Sequence, residues 1–301
     1  MASVRLATTQ PARDMAGPGS RFLDVDGVSV HHRVTGPEDA PVILLFHHFY
    51  GNVATWRHVH EALSDRFRVA SFDRVGFGLT ERPPRSRWRG TNPYTREMSA
   101  RIAMKLLDAL DVPAATLVGS SAGGTAALET YRRIPGRVRG LALLSPAITG
   151  DVGAPRMLRP VLRTWPLRSI GTRIVRRVAG EITRERVSRS WHDPSRAGDD
   201  DVDAYARAMQ VEGWDRGFWE VMTAEAPPDL RGVVRSVQVP TLVVAGASDR
   251  IIAPRWNRRT AGALPGGRFH LLPDTGHTPH EERPDLLVPV LRGFLAELDG
   301  S

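Results

Sequence analysis

Short apolar runs recur along the chain and alternate with segments that have the spacing of amphipathic helices. The apolar runs have the length and continuous hydrophobicity of strands buried on both faces: Val42–Phe46, Phe67–Phe72, Ala115–Val118, Leu141–Leu144, Thr241–Ala245 and Arg268–Leu272. The helical segments lie between most of these runs: Thr55–Leu63, Thr95–Leu110, Ala122–Ile134, Pro254–Ala263 and Pro284–Leu298. Residues 21–34 read as a hairpin that turns at Asp26-Gly27. This order predicts an α/β fold, a mostly parallel sheet with helices on both faces.

The alternation stops between residues 147 and 235, where the pattern is helical and no strand is evident. We expect a helical cap here, inserted into a core that is formed by residues 21–146 and 236–301. The first part of the cap is rich in arginine and amphipathic, so it could lie on a membrane surface. We favour a helix pair whose apolar face covers the functional site and whose arginines are solvated.

The amino-acid composition excludes or disfavours several classes of protein. The chain has 301 residues, 41% of them hydrophobic, and no apolar run approaches the length of about 20 residues that spans a bilayer. Residues 1–20 lack the apolar core of a secretory signal, so we expect a flexible tail, a cytoplasmic protein and no stable membrane insertion. The net charge of +8 comes almost entirely from arginine, since Lys105 is the only lysine, and no nucleic-acid-binding motif accompanies it. Cysteine is absent, which excludes disulfides and thiolate catalysis.

Ser121 has the most informative local context. It lies between a predicted strand and a predicted helix, in Gly119-Ser120-Ser121-Ala122-Gly123, which has the pattern of a nucleophile elbow. Ser121 has glycine two places away on both sides, whereas Ser120 has Val118 on one side, and valine is too bulky for such a turn. The pattern therefore favours Ser121 as a nucleophile.

Two other segments supply partners for such a serine. Asp249 lies just beyond a buried strand, where it could orient an imidazole, and His277 lies on the loop after the last strand. We interpret nearby His280 as packing or hydrogen-bonding support. Acyl transfer also needs two N–H donors for an oxyanion, which we expect from the backbone of Ala122 and of Phe49 in the loop after the first buried strand. We predict no metal and no cofactor.

The order Ser121, Asp249, His277 resembles the alpha/beta-hydrolase superfamily, in the cap-bearing branch that includes esterases, epoxide hydrolases, perhydrolases and carbon–carbon bond hydrolases. The resemblance covers residues 21–298 and includes the segment Asp73–Thr80, which looks like the Asp-x-x-Gly-x-Gly-x-Ser/Thr loop of that family. It implies an eight-stranded sheet and an inserted cap. His48 departs from the family pattern, in which glycine follows His47, so His48 could point into the pocket instead.

The type of nucleophile limits the classes of reaction that are possible. Epoxide hydrolases and haloalkane dehalogenases of this fold use aspartate at the elbow, so Ser121 predicts an acyl-enzyme formed from a small to medium, largely apolar ester, thioester or lactone. Carbon–carbon hydrolases resemble one another in a tryptophan after the catalytic histidine, where this chain has Thr278. A perhydrolase, an acyltransferase and a non-catalytic binding protein stay open. We expect a small-molecule substrate, no nucleic acid, and a monomer or homodimer. Candidates for the pocket wall are His48, Tyr50, Trp165, Trp191, Trp214, Phe218, Trp219 and Met222.

Overall fold

A computed structural model describes residues 9–148, 154–224 and 229–299, with only the backbone for residues 156 and 178–188. The described residues form one eight-stranded sheet in the order β1-β2-β4-β3-β5-β6-β7-β8. Strand β2 is antiparallel to β1 and β4, and all other neighbouring pairs are parallel. The strands are β1 Ser20–Val25, β2 Val28–Thr35, β3 Val42–Phe46, β4 Arg68–Phe72, β5 Ala115–Ser120, β6 Val138–Leu144, β7 Thr241–Gly246 and β8 Gly267–Leu272. The predicted fold class is confirmed.

Helices connect the parallel strands and cover both faces of the sheet. The core helices are α1 Arg57–Leu63, α2 Arg96–Ala109, α3 Ala122–Arg133, α9 Pro254–Ala263, α10 Pro279–Glu282 and α11 Pro284–Asp299. Between β6 and β7 the described residues contain α4 Arg159–Leu162, α5 Trp165–Ser190, α6 Asp199–Ala208, α7 Trp214–Thr223 and α8 Arg231–Ser236, without a named strand. No described helix is long and apolar enough to cross a membrane.

The continuous hydrophobicity of the strands follows from burial on both faces. In β3, Leu44 and Phe46 pack into the apolar layer beneath α2 and α3, whereas Ile43 and Leu45 pack into the layer beneath α1 and α11. Side chains alternate between the faces of a strand, so a strand with apolar layers on both sides cannot show polar alternation. The two layers hold the carboxyl ends of the parallel strands at one edge of the sheet.

Two expectations about the segments outside the sheet need correction. Residues 9–19 are not a free tail: Gln10 exchanges backbone hydrogen bonds with Gln210 and Glu212 of the cap, and Met15 is buried. Residues 1–8 lie outside the described part of the chain. The Arg-rich start of the cap also differs from the prediction, because its large apolar side chains between residues 157 and 174 are exposed rather than covering the site.

Candidate active site

Ser121 lies at the turn from β5 to α3, at the carboxyl edge of the sheet. Its backbone has φ 51° and ψ −116°, a conformation that costs a residue other than glycine roughly 1–3 kcal/mol. The turn is held by the Ser121 amide, which donates to the Leu144 carbonyl at 2.8 Å, and by the Gly124 amide, which donates to the Ser121 carbonyl at 3.0 Å. Such strain at a strand-to-helix turn is typical of a nucleophile elbow.

The glycines around Ser121 allow the backbone to pack this tightly. A Cβ atom on Gly123 would lie 2.0 Å from the Phe46 carbonyl oxygen, and one on Gly119 would lie 2.6 Å from the Gly123 carbonyl oxygen. Neither contact is physically allowed, so both positions require glycine. Ser120 is fully buried and its hydroxyl finds no hydrogen-bond partner among the described residues.

Asp249 and His277 form a buried pair on the loops after β7 and β8. Asp249 Oδ2 and His277 Nδ1 are 2.8 Å apart, and Asp249 Oδ1 accepts hydrogen bonds from the amides of Ile251 and Ile252, both at 2.8 Å. Burial alone would raise the pKa of Asp249, but these hydrogen bonds and the His277 ring outweigh it and lower that pKa. An ionised Asp249 accepts the Nδ1 proton, which leaves Nε2 of the neutral ring as a proton acceptor.

The His277 loop is fixed by contacts that the sequence analysis missed. Glu282 accepts a hydrogen bond from the Gly276 amide at 2.6 Å and another from the Asp193 amide of the cap at 2.9 Å. The His277 amide donates to the Ser190 carbonyl at the end of α5. The Glu282 carboxylate therefore links the cap to the loop that carries His277. We expect the position of His277 to depend on the cap for this reason. Glu282 lies at the end of the short helix α10, five residues after His277, and nothing in a single sequence indicates these contacts.

The two predicted oxyanion donors lie near the same turn. Ala122 is the first residue of α3, so its N–H has no acceptor within the helix and is oriented along the positive end of the helix dipole. Phe49 follows β3, the neighbour of β5, and its ring packs with Ala122 in one buried apolar cluster. Among the described residues the Ser121 hydroxyl and the His277 ring are not hydrogen-bonded to each other.

An aromatic cluster covers the Ser121 turn. It brings Phe49, Phe77 and Ala122 from the core together with cap residues, and most predicted pocket residues belong to it: Tyr50, Trp214, Phe218, Trp219 and Met222. Phe218 of α7 contacts both Phe49 and Tyr50, with ring centroids 5.6 and 4.9 Å apart. Two candidates lie elsewhere. Trp165 is 75% exposed on the surface of the cap, and Trp191 is buried in a separate cluster with Tyr205.

His48 joins a polar network instead of lying in the aromatic cluster. Its Nε2 lies 3.1 Å from Glu281 Oε2, and its Nδ1 lies 2.8 Å from the Phe49 carbonyl oxygen. Tyr205 of cap helix α6 donates to the same Glu281 carboxylate at 2.8 Å. Burial would raise the pKa of Glu281, but His48, His280 and Tyr205 outweigh it and lower it to about 2. The network therefore ties the loop that carries Phe49 to the cap through a buried charge.

The segment Asp73–Thr80 closes the other side of the Phe49 loop. Buried Asp73 accepts hydrogen bonds from the amides of Val53 and Leu79 at 2.6 and 2.7 Å and pairs with His31 at 2.7 Å. His47 accepts a hydrogen bond from the Arg74 amide at 2.9 Å, and burial lowers its pKa well below the ordinary value, so the ring is neutral. Asp73 and His47 are structural supports of the loop.

Among the described residues, His48, His280 and Glu281 form the one group whose ligand atoms could surround a metal ion, since they lie within 4.8 Å of one another. Glu281 already accepts from Tyr205 with both oxygens and contacts His48 with one. These contacts satisfy the carboxylate without an ion. Of the three residues only His280 has ring nitrogens without a hydrogen-bond partner among the described residues, and one such ring is not a ligand set, so we assign no metal here.

Comparison with known proteins identifies the family of the fold. A family model described as alpha/beta hydrolase fold matches residues 41–284, which is most of the chain. The chain belongs to the alpha/beta hydrolase family. The match begins next to β3 and ends at the start of α11, so it includes all the loops that carry the candidate site.

Individual relatives fall into more than one hydrolase class. The chain is 28% identical to a 2-hydroxymuconate semialdehyde hydrolase of Pseudomonas sp. strain CF600, over 82% of this chain and 83% of that protein. It is 26% identical to the uncharacterized hydrolase YugF of Bacillus subtilis, over 94% of this chain and 99% of that protein. A thermophilic esterase of Thermogutta terrifontis superposes with a TM-score of 0.74 at 25% identity, covering 93% of this chain and 98% of the esterase. These likenesses support hydrolase activity.

Proposed function

We propose that the protein is a serine hydrolase that cleaves a small to medium, largely apolar carboxylic ester, thioester or lactone through an acyl-enzyme on Ser121. The observation that carries the proposal is the strained Ser121 turn at the same sheet edge as the buried Asp249–His277 pair. The similarity to an esterase and the apolar lining next to Ala122 support this substrate class.

The proposed chemistry assigns each group one task. The Ser121 hydroxyl attacks the carbonyl carbon while His277 Nε2 accepts its proton, and the N–H groups of Ala122 and Phe49 bind the oxyanion. His277 then returns the proton to the leaving group, and a water molecule, activated in the same way, releases the acid from Ser121. Asp249 keeps the Nδ1 proton in place and stabilises the imidazolium that forms.

A carbon–carbon hydrolase is the second candidate, because two relatives bear the name 2-hydroxymuconate semialdehyde hydrolase at 27% and 28% identity. Thr278 weighs against this candidate. It is a threonine at the position after the histidine where the carbon–carbon hydrolases resemble one another in a tryptophan. The Thr278 side chain is buried, and among the described residues its hydroxyl has no hydrogen-bond partner. A ligand-binding protein without catalysis is a third reading, which the intact set Ser121, Asp249 and His277 disfavours.

A substrate panel with two matched variants tests the proposal. Ser121→Ala should lower kcat for esters, thioesters or lactones by about 10³-fold or more, whereas Ser120→Ala should leave kcat unchanged because its hydroxyl is buried without a partner. Turnover of a vinylogous diketone acid together with poor ester turnover would favour the carbon–carbon hydrolase instead. Activity that survives Ser121→Ala, or no activity of the native protein on any class, would contradict the proposal.

A further inference from the structure

The start of the cap exposes an unusual number of large apolar side chains. Ten such side chains are exposed among the described residues, and seven of them fall between residues 157 and 174: Met157, Leu158, Val161, Trp165, Leu167, Ile170 and Ile174. Met157 is 91% exposed and Ile174 is 57% exposed. We call these seven side chains the cap surface. A concentration of this kind marks an interaction site rather than ordinary surface scatter.

The exposed apolar residues of α5 lie on a different face of the helix from the residues that pack on α7. Gly171 and Val175 are buried, and a Cβ atom on Gly171 would lie 2.1 Å from the Trp219 ring, so this face already packs on α7. At 3.6 residues per turn, Ile170 and Ile174 project from a different side of the helix. The helix therefore presents apolar residues on two sides, and the described residues cover only one of them.

The cap surface lies in a stretch of sequence that is rich in arginine. Residues 154–177 contain seven arginines and no acidic residue. Arg159 is buried against the Ala224 carbonyl, and Arg168 and Arg176 pair with Glu220 and Asp215. Arg173 and Arg177 are exposed next to Ile170 and Ile174 and have no hydrogen bond or ion pair with the described residues. The surface thus combines apolar side chains with two exposed arginines that have no partner among the described residues.

We propose that the cap surface docks on an anionic lipid surface. Exposed apolar side chains with arginine beside them are typical of a helix that lies in a membrane interface, where arginine attracts anionic headgroups. A second copy of this chain fits less well, because a twofold dimer would bring the exposed Arg173 and Arg177 of one copy close to the same two arginines of the other. This inference is independent of the reaction at Ser121.

Co-sedimentation with lipid vesicles tests whether the cap surface binds anionic lipid. The native protein should pellet with phosphatidylglycerol vesicles but not with phosphatidylcholine vesicles, and added salt should weaken the binding. Arg173→Gln with Arg177→Gln should lower the partition coefficient roughly 30-fold, since each arginine near the surface contributes about fivefold. Trp165→Ser with Ile174→Ser should lower it by about tenfold or more. The matched control, Trp256→Ser with Leu271→Ser, removes two exposed apolar side chains of the core and should bind as the native protein does.

Thermal unfolding midpoints of all variants should stay close to that of the native protein, because surface substitutions usually change stability by no more than about 0.5 kcal/mol. Three results would overturn the inference. One is no binding to phosphatidylglycerol vesicles, and another is an equal loss in the cap and control variants. The third is a native dimer in sedimentation velocity that the Trp165→Ser and Ile174→Ser variant dissociates, which would identify the surface as an interface between copies.

Discussion

Replacing His280 by phenylalanine should remove a defined part of the pH dependence of stability. The His280 ring is fully buried, stacks on Trp56 at 4.2 Å, and neither of its nitrogens has a hydrogen-bond partner among the described residues. Burial is the main cause that lowers its pKa to about 3, helped by His48, His277 and Arg57 and opposed by Glu281.

The sign and the size follow from proton binding in the two states. In the unfolded chain a histidine has a pKa of about 6.5, so between pH 6.5 and about 3 the unfolded state binds a proton that the folded state does not. Stability therefore falls as the pH drops through this window. For one such histidine the loss between pH 7 and pH 5 is about 2 kcal/mol. His60, with its pKa also lowered to about 3 by burial, adds a similar loss.

The assay is urea unfolding of native protein and His280→Phe at pH 7 and at pH 5. The variant should lose about 2 kcal/mol less than the native protein between these two pH values. At pH 7 its stability should be similar to that of the native protein, since no hydrogen bond to a described residue is removed. His270→Asn, which replaces an exposed histidine, is the control for the loss of a histidine at the surface. An identical pH dependence in native protein and His280→Phe would refute the reasoning.

Three further predictions address the candidate site. Asp249→Asn should lower kcat by about 10⁴-fold, because an amide NH2 facing His277 Nδ1 favours the wrong tautomer, and retained esterase activity would contradict the assigned role. Tyr205→Phe should cost about 1.5–3 kcal/mol in urea unfolding, because it removes a hydrogen bond to the ionised Glu281, with exposed Trp165→Phe as the control that costs little. Gly123→Ala should abolish activity or folding, since its Cβ would lie 2.0 Å from the Phe46 carbonyl oxygen, whereas Gly136→Ala meets no atom and should leave kcat unchanged.

The strands of the sheet and the loops at its carboxyl edge could be predicted from the sequence. Continuous apolar runs predicted strands such as β3 and β7 within a residue or two, because burial on both faces leaves no room for polar alternation. The nucleophile position could be chosen because the steric requirement for glycine two places on either side of Ser121 is local. Local constraints of this kind are visible in one sequence.

The contacts across long sequence separations were not predictable. His48 and Glu281 are 233 residues apart in the sequence. The residues around them give no indication that the two side chains contact each other and Tyr205 beneath the cap. Trp165 is a candidate for the pocket wall by sequence, yet it is exposed on the cap. The periodicity of α5 indicates which residues share a face, but it does not show which face is covered.

Covalent labelling of the intact protein by a fluorophosphonate, with the modified residue located by peptide mass spectrometry, is the most direct test of the proposed acyl-enzyme chemistry. We expect one adduct per chain, on Ser121, that is absent from Ser121→Ala and retained in Ser120→Ala. A folded native protein that takes up no label, or an adduct on Ser120 or any other serine, would contradict the account.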